Sequence, residues 1–104
     1  MALTRSFKET VQARVARDPA FKQALLSEGV NALLEGDLDI GKAVLRDYIN
    51  ATIGFDSLAA ATGTPAKSLM RMFGPRGNPN ASNLFAVIGC LQRESGVTLE
   101  VRAA

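Results

Sequence analysis

Residues 55–72 read FDSLAAATGTPAKSLMRM, and no other stretch restricts the fold of this chain so tightly. Gly63 breaks it near the middle. A glycine there can take the left-handed backbone that ends a helix sharply. Thr64 then offers a cap, and Pro65 fits the first position of a new helix. The stretch predicts two short helices, residues 55–62 and 65–73, around a tight turn. Ala59 is small enough to let them approach closely. Leu58, Leu69 and Met72 recur on one buried face, and Phe73 joins them.

That layout is a helix-turn-helix, whose second helix enters the major groove of DNA. The outer surface of the second helix carries Ala66, Lys67, Ser68, Met70 and Arg71. Lys67 and Arg71 are i, i+4 neighbours. Side chains of this kind meet guanine edges or phosphates. Ser57 points outward at the entry of the first helix, where it would contact a phosphate. Residues 74–79, GPRGNP, hold two glycines and two prolines and therefore form a loop. Arg76 and Asn78 are placed there to hold the DNA backbone. The plainer alternative is a simple connecting turn with a solvated Arg76.

The charge distribution agrees with this picture better than the net charge of +2 does. Residues 57–93 carry Lys67, Arg71, Arg76 and Arg93 and no acid at all. Residues 18–56 carry seven acids against Lys22, Lys42 and Arg46. The half expected to read DNA is the half cleared of negative charge, as a phosphate-facing surface requires.

Four more helices are expected around the motif. Residues 4–16 place Phe7, Val11 and Val15 four apart on one face, with Thr4 or Ser6 as cap. Asp18-Pro19 is a cap followed by proline at the first position, opening a helix to about Glu35. Its apolar stripe is Phe21, Leu25, Leu26, Val30, Leu33 and Leu34, and Gly29 within it marks either close packing or a local break. Asp37 starts a third helix whose periodic set is Ile40, Val44 and Tyr48, flanked by Leu45 and Ile49, with Arg46 and Asp47 outward. Asn80 or Ser82 caps the last helix, which runs to about Glu94 and buries Leu84, Val87, Ile88 and Leu91. Beyond it, residues 97–101 alternate apolar and polar. That alternation predicts a strand over Val97, Leu99 and Val101. A lone strand is not stable, so it needs a second copy of itself, a partner strand or a helix face, which points to dimerisation. The alternative is an extended tail tucked along the core.

Other function classes find little in the sequence. There is one cysteine, Cys90, and no histidine, so a structural zinc site and a histidine-activated nucleophile are not expected. No paired carboxylates or phosphate-binding glycine loop suggest an enzyme, and no cofactor is expected. No apolar run approaches the length of a membrane span, and the first ten residues lack the apolar segment of a secretory signal. A cytoplasmic protein is the expectation.

The run ATGTPAKSLMRMFGPRGNPNASNLFAVIGCLQRESGVTLEV resembles the addiction-module antidote family of HigA-like, Xre-like helix-turn-helix antitoxins. The likeness rests on the motif at residues 63–72, the Gly-Asn-Pro loop at 74–79, the last helix and the terminal strand. It extends over about two-thirds of the chain. Two positions depart from the pattern. Phe55 stands where a polar, phosphate-contacting residue is usual, and Thr62 where an apolar one is usual. The resemblance implies an all-α, lambda-repressor-like domain of five to six helices with a short C-terminal β-strand. Residues 1–36 would be an N-terminal helical extension. Residues 37–104 would be the DNA-binding domain with its dimerisation strand, the whole forming one compact unit. The implied activity is sequence-specific transcriptional repression by a homodimer on double-stranded DNA, with a RelE-like toxin as a further partner. The alternative activity is a protein-interaction module that mainly neutralises that toxin.

Overall fold

The computed structural model describes residues 5–104, with side chains from Thr10 onward. The expected cap Thr4 and the Phe7 side chain lie outside the described residues. Six helices are present among them: α1 (Arg5–Arg17), α2 (Pro19–Leu34), α3 (Leu38–Ala51), α4 (Phe55–Thr62), α5 (Ala66–Met72) and α6 (Ala81–Ser95). The protein is all-α. None of its helices is long and apolar enough to cross a membrane among the described residues.

The capping residues explain where these helices begin. Asp18 accepts a hydrogen bond from the Phe21 amide, with Pro19 at the first helical position. Asp37 accepts from Ile40 N and Asn80 from Asn83 N, so each side-chain oxygen satisfies an otherwise orphaned amide.

α2 and α3 form the closest helix pair, and α1 lies across both. Gly29 and Gly41 make that approach possible. A Cβ on Gly29 would stand 2.8 Å from Leu45 Cδ2, and one on Gly41 would overlap Leu33. Gly29 therefore serves close packing, and α2 continues through it unbroken. α1 is tied to α3 by Gln12 Nε2 donating to Asn50 O and to α2 by Arg14 lying 4.5 Å over the Phe21 ring.

One cluster of buried side chains joins the rest. Leu26 comes from α2, Leu45, Tyr48 and Ile49 from α3, Phe55 and Leu58 from α4, Leu69 from α5, and Val87, Cys90 and Leu91 from α6. Phe73, just past α5, completes it.

Three sequence expectations are corrected by this packing. Of the set expected on α3, Tyr48, Leu45 and Ile49 are buried and Val44 is half-buried, and the departure lies at the start of the helix. Ile40 is 53% exposed, while Lys42 is, unexpectedly, buried. Leu34, expected in the stripe of α2, is the last residue of that helix and is 61% exposed. The third concerns the expected strand. No strand forms among the described residues, and 97–104 has no regular structure.

The alternation at 97–101 nevertheless has a physical reading. Val97 and Leu99 are half-buried, Thr98 and Glu100 are exposed, and Leu99 packs against the core. Val97 N donates to Ser95 Oγ and Leu99 N to Gln92 Oε1. The tail therefore lies along its own α6, and side chains supply the acceptors that a neighbouring strand would have supplied. Val101 is 78% exposed.

Candidate nucleic-acid interface

α4 and α5 are held by their shared inner face. Leu58 and Leu69 are fully buried, and Met72 packs against them with Ala59. Gly63 ends α4 at φ +72, in the left-handed region, and its amide donates to Ala59 O. An L side chain is strained at such a φ, so the glycine sets the turn. Thr64 does not cap α5. Pro65 occupies the cap position with no side-chain hydrogen bond, and Thr64 N donates to Thr62 Oγ1 instead. Thr62 in turn donates to Leu58 O, so its hydroxyl is satisfied within its own helix and the following turn.

Phe55 is buried. Its ring lies 6.3 Å from that of Phe73, tilted by 55°. The residue at the first position of the motif therefore closes the core beneath the turn.

Lys67, Met70 and Arg71 of α5 are exposed, whereas Ala66 and Ser68 are half-buried. Ser57, Arg76 and Asn78 are exposed as well. Among the described residues, none of Lys67, Arg71 and Arg76 forms an ion pair. Their charge is left to solvent, as the acid-free segment 57–93 around them implies. α5 brings Lys67, Met70 and Arg71 to the surface, and the loop that follows adds Arg76 and Asn78.

The support beneath this loop was not legible in the motif. The Lys42 side chain, only 3% exposed, passes from α3 under residues 74–77. Its Nζ donates to Gly74 O at 3.0 Å and to Gly77 O at 2.6 Å. Arg46 Nη1 donates to Phe73 O at 3.3 Å, so this arginine, expected to face outward, points to the end of α5. The carboxylate nearest the ammonium is Asp39, at 3.9 Å and almost wholly exposed, a geometry that contributes little. Burying an ammonium is costly unless its donors are used, and hydrogen bonds from a charged donor contribute about 1.5–3 kcal/mol each. The sequence did carry a signal. Lys42 lies three residues before Leu45 and seven before Ile49, in phase with the face that packs.

Gly77 completes the seat of the loop. A Cβ there would overlap the carbonyl oxygens of Arg71 and Met72. Only a glycine lets the loop fold this closely onto the end of α5.

Two concavities lie elsewhere. A cavity of about 340 Å³ is lined by residues of α1, α2, α3 and α6, including Lys22, Tyr48, Glu94 and Ser95. Burial pushes the Tyr48 hydroxyl above its ordinary pKa, and a hydrogen bond with Ser95 offsets part of that shift. Burial likewise pushes the Cys90 thiol up, with Arg93 opposing and Glu94 adding to the effect. A second, apolar groove of about 240 Å³ is lined by Val30, Leu33, Leu34, Leu38, Leu84, Phe85 and Ile88. Phe85 stands 66% exposed at its lip. No residue of the candidate interface lines either one.

Comparison with known proteins finds no matching family model, no curated protein and no solved structure with significant similarity to this chain.

Proposed function

We propose that this chain is a sequence-specific DNA-binding transcriptional regulator, a cytoplasmic repressor without enzymatic activity. In this reading α4, the turn and α5 are a lambda-repressor-like helix-turn-helix. One observation carries the proposal. A short helix pair seated by Leu58, Leu69 and Phe73 leaves Lys67, Met70 and Arg71 exposed on α5 and Arg76 exposed on the loop that follows, within a segment that has no carboxylate. Lys67, Ser68 and Arg71 would meet base edges or nearby phosphates, with Ala66 and Met70 as apolar contacts. Ser57, Arg76 and Asn78 would hold the backbone.

The active species in this reading is a homodimer, because one short helix in one groove makes few contacts. The tail supports a way to pair. In an extended chain, alternate amides face opposite edges. Val97 and Leu99 donate to α6, whereas no hydrogen bond among the described residues uses the amides of Thr98 and Glu100. That edge is open to the same tail of a second copy, with exposed Val101 beside it.

Selection of bound duplexes from a random pool tests the proposal. The expected product is a two-fold-symmetric site with half-sites about 10 base pairs apart. A pool that emerges unenriched would sink it. Sedimentation at high micromolar concentration tests the dimer, and a strict monomer would remove it.

A second reading is a module that mainly neutralises a RelE-like toxin. The apolar groove beside the exposed Leu34 and Phe85 is the observation in its favour, since large exposed apolar side chains gathered at one groove mark interaction surfaces. Co-expression with the product of the neighbouring gene separates the two readings.

A further inference from the structure

The loop at residues 74–78 is fixed from within. Phe73, Gly74 and Gly77 all turn their carbonyls toward α3, where Arg46 takes the first and Lys42 the other two. Gly77 N donates to Gly74 O and Gly74 N to Arg71 O, which closes the turn on itself. Pro75 has no amide hydrogen to offer. What remains for solvent is Arg76 and Asn78, whose side chains are exposed and whose amides have no hydrogen bond among the described residues. Arg76 thus sits between two carbonyls held by a single ammonium.

We propose that Lys42 is a positioning residue for recognition of the DNA backbone, its buried ammonium bridging Gly74 and Gly77 to fix where Arg76 and Asn78 meet phosphate. This rests on the DNA-binding reading above. Space-filling alone does not account for a lysine here, since an apolar chain of similar length would fill the site without burying a charge. What the ammonium adds is two directed bonds to the two ends of one short loop. A loop ordered before binding loses less freedom when it meets its ligand, so the bridge should appear as affinity and not only as stability.

The test uses the full chain and a mixed-sequence duplex of about 20 base pairs, long enough for two half-sites. Lys42→Met, Arg76→Ala and the double variant are compared for binding at several salt concentrations. Exchange of the Gly74 and Gly77 amides, both hydrogen-bonded in the closed turn, is followed in the free proteins. Lys42→Met is expected to remain helical, to speed exchange at those amides, and to weaken binding by a factor similar to that of Arg76→Ala. Its salt slope should fall by about 0.9, the loss of one phosphate contact. The double variant should bind no more weakly than either single one. If Lys42→Met costs the same factor with and without Arg76, or leaves the loop amides unchanged, the proposal is overturned. Should Lys42→Met fail to fold, Lys42→Gln, which keeps a side-chain donor, is judged by the same criteria. A parent chain with no salt-dependent binding to the duplex would overturn the DNA reading and the role of Lys42 with it. Faster loop exchange in Lys42→Met would then show that the bridge itself orders the loop.

Discussion

The rings of Phe55 and Phe73 meet 6.3 Å apart at a tilt of 55°, joining the first residue of α4 to the residue just beyond α5. Both are buried, so the two ends of the helix pair close on one aromatic contact. Phe55→Ala should destabilise the chain by about 3–5 kcal/mol, the usual range for deleting a buried aromatic. Phe55→Gln, which puts a polar residue at that position, should be as damaging because its amide would be buried. A double-mutant cycle with Phe73→Leu should show coupling of about 0.5–1.5 kcal/mol beyond area burial. Urea unfolding measures all three, and a stable Phe55→Gln chain would contradict the burial of this ring.

Gly77→Ala should be more harmful than its single added methyl suggests. The new Cβ would overlap two backbone carbonyls of α5, and backbone cannot swing aside as a side-chain end can. Overpacking of this kind typically costs about 1–3 kcal/mol. The loop carbonyls held by Lys42 would be displaced as well. Gly74→Ala is the control, because its Cβ would meet only ordinary contacts at 3.4 Å. A midpoint for Gly77→Ala no lower than that of Gly74→Ala would contradict this account.

Much of the helical framework was legible because its signals are local. Asp18-Pro19, Asp37 and Asn80 start helices, and Gly63 ends one, through bonds made within a few residues. The inner face of the motif was legible for the same reason, since Leu58, Leu69 and Phe73 follow helical spacing. Lys42 was not, because hydropathy alone places a lysine outside, and only the fold reveals carbonyls 32 and 35 residues away that use its donors. The first turn of α3 was misjudged with it: Ile40 is apolar yet exposed, and Lys42 is charged yet buried, although Leu45, Tyr48 and Ile49 face inward as expected. The strand failed differently. Alternation reports which side chains face inward, and a tail lying on α6 alternates as a paired strand does.

Arg71 and Arg76 should separate in binding experiments if the proposed function holds. Arg71 lies on the exposed face of α5, so Arg71→Ala should cost about 1–3 kcal/mol on the selected site and relax preference at one base pair. Arg76 lies on the loop, so Arg76→Ala should weaken selected and random duplexes alike and lower the salt slope by about 0.9. Both are exposed, and neither should move the unfolding midpoint appreciably. An unchanged ratio of selected to random affinity in Arg71→Ala would remove its base-reading role.

Tyr48 should set part of the alkaline limit of stability. Burial raises its pKa above the ordinary value of 10.0, so the folded chain keeps the hydroxyl proton longer than the unfolded chain does. Between the two pKa values the folded state binds more protons, and stability must fall as pH rises. The contribution is intact below about pH 10 and is lost as the pH climbs toward and through the raised folded value. Tyr48→Phe removes this dependence and also the bond with Ser95. It should therefore be somewhat less stable than the parent at pH 7, by about 0.5–1.5 kcal/mol, with a flatter decline above pH 10. Unfolding midpoints in urea from pH 7 to 11 measure both effects. Parallel curves for parent and variant across that range would show that the buried hydroxyl does not carry the alkaline dependence.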